Sequence, residues 1–457
     1  MASFSVENLK VVNEAKAGVP IHTGVGFLDH MLDQLNSHAQ VGVGLTVTVQ
    51  ESDANGNGNG NGNANKIQKT DASTDITKNR NRLASQSKSQ TELFETVGTQ
   101  VGKALKEMIG SAHPQSDESL TMSRFCCPLD EALVECILAP SDDKDEAGSG
   151  SLESYTLAPF GKYPKLTGRT HIGTLETAAL QPFWQALAKE SGLQISLNKL
   201  RGDNAHHIVE SSFKAFSRAL RNYLDASQKL WTSGSSDNDK ASIALAREGK
   251  VVRQTKETSI SVLLQLNGQS SDTKIDTGIS IMDQFFTLLA SEANMTLQIA
   301  CKGDLWVDDH HTSEDVSIAV GQCLDQALGT KAGLNRMWLS RATLGQAQVE
   351  VTMDLSNRPC LRHNLDHTLE QAEYVDDSDT SITTRSKLSC EMLEHVLDSL
   401  VMNGRMTVHI VELAQGATVE ETVLCTAMAF GKALRVCAMV DCRRAGQTAS
   451  SKGTLSV

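Results

Sequence analysis

One pattern recurs four times along this chain, in FLDHMLDQLNSHAQVGVGLTVTV (27–49), LQPFWQALAKESGLQISL (180–197), IMDQFFTLLASEANMTLQIA (281–300) and LEHVLDSLVMNGRMTVHIV (393–411). In each stretch apolar residues recur at helical spacing, a short break follows, and a strand of alternating apolar residues comes next. After a loop each is followed by a second helical pattern: FETVGTQVGKAL (94–105), HHIVESSFKAFSRAL (206–220), HHTSEDVSIAVGQCL (310–324) and EETVLCTAMAFGKAL (420–434). A unit this short must bury its apolar faces against its neighbours. The repeat predicts an α+β chain of two similar domains, each an internally duplicated split β-α-β half-domain with its helices packed on a β-sheet.

The bulk numbers agree with that division. A chain of 457 residues, 40% hydrophobic, exceeds the roughly 250–300 residues at which one core stops growing. Three polar segments interrupt the pattern. Residues 51–90, with the run NGNGNGNGNAN, and residues 141–154 read as insertions into the first domain, the former disordered because it offers too little apolar surface to offset ordering entropy. Residues 227–244 read as a linker, leaving 1–226 as the first domain and 245–457 as the second. The net charge of −13 argues against nucleic acid as the main partner, since phosphate backbones are held by clustered Lys and Arg. With no basic leader and no run of apolar residues long enough to span a bilayer, the chain is expected to be cytoplasmic, with small molecules or proteins as partners. Its ten cysteines lack zinc-ligand spacing and are expected to be reduced thiols.

Two of the second helices open on adjacent histidines followed by a glutamate: His206, His207 and Glu210, and His310, His311 and Glu314. On a helix, residues i and i+4 lie about 40° apart whereas i and i+1 lie about 100° apart. His310 and Glu314 can therefore share one metal while His311 is aimed at another, and the first domain repeats the arrangement. A single histidine pair is more often a solvated helix start, but two in equivalent places of a repeat argue for a shared role. The repeat also places His30 and His395 at equivalent positions of the first helices. Together these are six imidazoles and two carboxylates, or three His and one Glu for each of two metals, a nitrogen-rich set that suits Mn, Fe, Co or Zn rather than Mg or Ca. Asp308 and Asp309 are expected to start their helix and to support the ligands.

In the first half TGVGFLDHMLDQLNSHA (23–39), PLDEAL (128–133) and GDNAHHIVESSFKAFSRALR (202–221) resemble the imidazoleglycerol-phosphate dehydratase family. So do RQTKETSISVLLQLNG (253–268), DLWVDDHHTSEDVSIAVGQCLDQALG (304–329), MDLSNRPCL (353–361) and SSKGTL (450–455) in the second. Family members are about half this length, so the chain resembles two of them fused. The resemblance implies dehydration of imidazole glycerol phosphate to imidazole acetol phosphate, with two manganese ions per site as cofactor. It implies Glu257 of TKET as the group that moves the proton, Gln34 and His38 as further active-site residues, and Arg336, Arg358, Lys214, Ser450 and Lys452 as the phosphate-binding set. Because the family assembles as a 24-subunit shell with sites between neighbours, it also implies a particle of about 12 fused chains.

The departures from the family follow a rule. Thr91 and Glu92 stand where the second domain has His310 and His311, Pro182 stands opposite His395, and Glu95 alone matches Glu314. In the second domain Gln284 stands opposite His30, and Glu420, Glu421 and Leu424 opposite His206, His207 and Glu210. Leu288 and Met428 likewise stand opposite Gln34 and Lys214. Seven of the eight ligand positions thus survive in one half only, and one complete set remains per chain. A catalytically inactive tandem pseudoenzyme with an assembly or regulatory role would account for the lost motifs but not for their complementarity. A dinuclear-metal hydrolase would use the same His and Glu set but leaves TKET, SNRP and SSKG unexplained.

Overall fold

The computed structural model describes residues 2–51, 87–112, 122–141, 149–162, 168–227, 247–266, 268, 270–376, 386–444 and 446–455. The chain divides into two compact units, one of residues 1–125 and 134–233, the other of residues 126–133 and 234–457. Glu51 ends a strand and residues 87–90 form the first turn of a helix, so the insertion expected over 51–90 is shorter than read, and residues 52–86 lie outside the described residues. The insertion expected over 141–154 is likewise trimmed, because Ser151–Thr156 is a strand. Ser227 closes a helix, and the rest of the expected linker lies outside the described residues.

In the first unit β1 (Ala2–Val12), β2 (Ile21–His22) and β3 (Gly42–Glu51) form a sheet in the order β1-β3-β2. Helix α1 (Gly26–Gln34) runs into a π-turn at Leu35–Ala39 before β3, and α2 (Ser87–Ala112) comes later in the chain. The next sheet is built from β4 (Ser123–Leu129), β5 (Ala132–Pro140), β6 (Ser151–Thr156) and, after the short hairpin of β7 (His171–Ile172) and β8 (Leu175–Glu176), β9 (Leu193–Arg201). Its order is β4-β5-β9-β6, and α3 (Leu180–Ser191) and α4 (Ala205–Ser227) flank β9 in sequence.

The second unit repeats this plan twice. Strands β10 (Glu248–Gln254), β11 (Thr258–Gln265), β12 (Lys274–Asp276) and β13 (Thr296–Gly303) pair in the order β10-β11-β13-β12, with α5 (Ser280–Ala293) and α6 (His310–Leu328). Then β14 (Met337–Leu344), β15 (Ala347–Asp354), β16 (Cys360–Arg362) and β17 (Thr407–Ala414) pair as β14-β15-β17-β16. The accompanying helices are the single turn α7 (Asp366–Leu369), α8 (Cys390–Asn403) and α9 (Val419–Cys437). In both halves one short strand runs parallel to the last strand, as β12 does to β13. A parallel neighbour cannot be reached by a tight hairpin, so the chain crosses over through a helix, and that crossover is the split β-α-β unit.

Strand β11 alternates buried and more exposed residues, which puts one face of its sheet under the helices. The helices then pair across the two halves of each unit: α2 packs on α3 and α1 on α4, while α6 packs on α8 and α9 on α5. In the first unit Phe94, Phe183, Trp184, Phe213 and Phe216, all buried, join α2, α3 and α4 through ring contacts at 4.6–6.4 Å. Gly321 of α6 lets α8 approach so closely that a Cβ there would lie 2.8 Å from the Leu400 carbonyl oxygen. Among the described residues no helix is long and apolar enough to cross a membrane.

Gly321→Ala forces that carbonyl away and is expected to destabilise the chain by about 1–3 kcal/mol, the usual range for overpacking. A lowered thermal midpoint is the readout. An unchanged midpoint would show that α6 and α8 can part without loss.

Candidate active site

The α1–α4 and α6–α8 pairs each bring two histidines and a glutamate together. In the first unit α4 starts where Asn204 accepts hydrogen bonds through its Oδ1 from the backbone N–H groups of His206 and His207, at 2.9 and 3.4 Å. His206 and Glu210 therefore fall on one face of the first turns, with Nε2 to Oε2 at 3.0 Å. Helix α1 supplies His30, whose Nε2 lies 3.9 Å from the other Glu210 oxygen. One ligand atom from each of these three residues lies within 4.8 Å of the other two.

Lys214, one turn after Glu210, places its ammonium 2.8 Å from the carboxylate. Burial alone would push the Glu210 carboxyl up. The Lys214 charge and hydrogen bonds from His206, His30 and Lys214 outweigh burial and hold the carboxyl well below the usual carboxylate range. Gln34, fully buried, donates to the His30 carbonyl at 3.0 Å, and its Nε2 lies 3.5 Å from the His30 ring nitrogen. His38 is fully buried within the π-turn that ends α1.

In the second unit the equivalent residues approach one another, but among the described residues only His30, His206 and Glu210 gather three ligand atoms within 4.8 Å. His310 Nε2 lies 3.5 Å from Glu314, and the His310 and His395 rings are 5.6 Å apart. Asp308 accepts from the His310 N–H at 3.0 Å and so starts α6. Asp309 occupies the cap position without capping: its carboxylate takes both the N–H and the hydroxyl of Ser389, at 2.6 and 2.8 Å. That bond ties the start of α6 to the start of α8, and hence His310 to His395.

His311 sets its ring plane at 75° to that of His310. Its Nδ1 lies 3.0 Å from Asp304, and its Nε2 lies 3.9 Å from Glu257, so the structure brings Glu257 beside a histidine expected as a ligand. The hydrogen bond to Asp304 raises the His311 pKa; desolvation opposes it, and the charges of Glu257, Asp304 and Asp308 add to the rise. Asp315, on the buried side of α6, holds Arg253 at 2.7 Å and the Thr258 hydroxyl at 2.6 Å. These residues flank the turn that carries Glu257. Asp304 and Asp315 are missing from the residues picked by sequence, where their only mark is proximity to the His–His motif.

The expected phosphate set divides. Arg358 sits in the second unit with its Nε 3.0 Å from Asp130, and Ser450 Oγ accepts from the Lys452 N–H at 3.1 Å in the turn that ends the described chain. Arg336 is nearby but committed: it is buried, forms a two-pronged pair with Asp354 at 2.7 and 2.8 Å, and donates to the Ala449 carbonyl. Lys214 belongs to the first unit, where its ammonium is held by Glu210. Three of the five expected phosphate ligands, Arg336, Arg358 and Lys214, therefore have carboxylate partners here.

The lost ligands also sort by helix pair. Thr91, Glu92 and Pro182 all belong to the α2–α3 pair, and Gln284, Glu420, Glu421 and Leu424 to the α5–α9 pair. Each unit thus keeps the expected ligand residues on one helix pair, while on the other pair only Glu95 of the first unit remains. At the stripped start of α9 the Thr418 hydroxyl accepts from the Glu421 N–H at 3.2 Å, while the Glu421 carboxylate accepts from the Ala417 and Gln346 N–H groups at 2.9 and 3.2 Å. A side-chain cap stands here at the positions where α4 carries the expected ligands His206, His207 and Glu210.

Fold and site together define an enzyme chain of duplicated α+β units that gathers imidazoles and carboxylates at paired helix starts. The family model for imidazoleglycerol-phosphate dehydratase matches residues 85–220 and 277–434. The chain belongs to that family, with two family domains in tandem. It is 37% identical over 250 residues, 54% of this chain and 86% of the relative, to the chloroplastic imidazoleglycerol-phosphate dehydratase 1 of Arabidopsis thaliana. To the chloroplastic enzyme of Pisum sativum it is 40% identical over 210 residues, 46% and 69% of the two chains. To that of Neisseria gonorrhoeae it is 35% identical over 231 residues, 50% and 71%. Among solved structures, the enzyme from Pyrococcus furiosus is 25% identical with a TM-score of 0.35, covering 45% of this chain and 99% of its own.

A carboxylate on the far nitrogen of a metal-bound histidine fixes ring orientation, and its loss commonly weakens metal binding about 10–100-fold. For the ligand role expected of His311, Asp304→Asn is expected to weaken binding of an added divalent metal by about that factor, read by competition with a chelator. Equal affinity in the variant would show that Asp304 does not orient His311.

Proposed function

We propose that the chain dehydrates imidazole glycerol phosphate to imidazole acetol phosphate at one composite site per set of ligands, assembled from both units. The observation that carries this reading is the complementary stripping: a whole α1–α4 pair in one unit and a whole α6–α8 pair in the other. Each kept cluster offers two imidazole nitrogens and a carboxylate, a donor set that fits a divalent transition metal but leaves coordination incomplete. His30, His206 and Glu210 would hold one ion, and His310, Glu314 and His395 the other. The divergent His311 and His207 would each complete the cluster of the opposite unit.

Two bound ions, manganese as the family resemblance implies, would supply Lewis acidity at the ring nitrogens of the substrate. Glu257, about half exposed beside His311, is free to reach a substrate and take the carbon-bound proton. Loss of that proton and of the neighbouring hydroxyl as water leaves an enol, which becomes the ketone of the product. Gln34 steadies His30 through its backbone carbonyl, and the buried His38 lines the same helix end. Arg358, Ser450 and Lys452 would take the phosphate and orient the reacting carbons, with Arg336 fixing the turn beneath them. Lys214, paired with Glu210, keeps that ligand ionised. The same reading includes a cytoplasmic particle of about 12 chains, with the phosphorylated imidazole as its partner rather than nucleic acid or membrane.

His206→Ala removes a ligand that only the first unit has, and His310→Ala one that only the second has. With no sister site left, either change is expected to lower kcat more than about 100-fold and to reduce bound metal. A variant that retained half the wild-type rate would show that each unit works alone. Mixing the two variants after loosening the assembly restores activity if sites form between chains and leaves it absent if they form within one.

A further inference from the structure

We propose that Lys331 is a positioning residue that holds the phosphate-binding turns of the second unit in their working shape. The proposal rests on the phosphate role given above to Arg358, Ser450 and Lys452. Lys331 touches none of the expected ligands, and its side chain is fully buried. Its ammonium donates to Asn357 Oδ1 at 2.5 Å and to the Arg405 carbonyl at 3.2 Å, and lies 3.5 Å from Asp325. Asn357 precedes Arg358 in SNRP, and its own amide donates to the Leu455 carbonyl at 3.0 Å, beyond Ser450 and Lys452. The buried amine therefore holds the loop that carries Arg358, and through Asn357 that loop is tied to the segment that carries the other two.

The backbone around this amine is strained. Eight non-glycine residues have positive φ among the described residues, and four of them meet here: Lys331 (58°), Arg336 (74°), Asn357 (59°) and Arg405 (53°). Such conformations are uncommon outside glycine and persist only where the surroundings over-determine them. The Asn357 N–H donates to the Arg405 carbonyl at 3.0 Å, and the Lys331 ammonium bonds both residues, so these three are linked by hydrogen bonds. Beside them the Leu355 N–H donates to the Arg336 carbonyl at 3.1 Å. Burial lowers the Lys331 pKa, and the charges of Asp325 and Asp354 partly restore it. A buried ammonium of this kind is retained for what it bonds rather than for solubility.

Lys331→Met removes the amine and keeps the apolar stem. Expected are a rise of about tenfold or more in KM and in the inhibition constant of inorganic phosphate, kcat within about threefold of wild type, and unchanged metal content. Asn357→Ala cuts the same link from the more accessible side, reads it if Lys331→Met does not fold, and is expected to raise both constants similarly. The double variant is expected to be no worse than either single one, since both break one connection. Unchanged KM and phosphate inhibition in a folded Lys331→Met or Asn357→Ala chain would overturn the proposal, as would single effects that multiply. A wild-type chain that binds phosphate without dehydrating the substrate would sink the dehydratase reading alone, because phosphate binding still reports on Lys331. One that binds no phosphate would overturn both.

Discussion

The packing of a helix from one half of a unit onto a helix from the other half is the contact on which the site depends. His30 and Glu210 are 180 positions apart in sequence, and His310 and His395 are 85 apart. Nothing local brings either pair together. The α1–α4 and α6–α8 contacts do, and the close approach at Gly321 sets how near the second pair can come. Because each unit is an internal duplicate, it has two such pairs and hence two places where ligands could gather. One contact type thus accounts both for the kept clusters and for the boundaries along which the lost ones disappeared.

Around those contacts the structure uses carboxylates to aim other groups. Asp309 binds Ser389 and so sets His310 against His395; Asp304 orients His311; Asp315 gathers Arg253 and Thr258 and so fixes the turn bearing Glu257. In the first unit the same electrostatic logic appears as Lys214 on Glu210. The depressed Glu210 pKa has a sign. Its contribution to stability is present above the ordinary carboxylate value of about 4.3 and fades only as pH falls from there toward the lower folded value. His311 behaves oppositely. Its protonated pairing is present below the ordinary imidazole value and is lost as pH rises through the raised one.

The stripped helix start of α9 shows what replaces a ligand set. A threonine and a glutamate three residues on form a side-chain cap, and the glutamate also closes the neighbouring turn at Gln346. The spacing T-x-x-E at 418–421 is a helix-start signal. That this start stands opposite the expected ligands His206, His207 and Glu210 was readable in the repeat. That Glu421 bonds a turn 75 positions away was not, since only the folded chain brings the two together.

By itself the sequence determined the periodic elements, the fourfold repeat, the two helix starts with histidines and glutamate on adjacent faces, and the complementary pattern of losses. These are local: they follow from 3.6-residue and two-residue periodicity, and from the side-chain chemistry of adjacent positions. The Lys214–Glu210 pair is also local, an i to i+4 spacing, but the resemblance to the family assigned Lys214 elsewhere. Only the tertiary structure decided which helices pair, that Arg336 is closed into a buried pair with Asp354, that Asp304 and Asp315 aim the groups at the site, and that Lys331 bonds Asn357, whose own amide reaches Leu455 across 98 positions of sequence. Those outcomes rest on contacts between distant segments and on which polar groups lose water when the segments pack, and neither is written in any short stretch of residues.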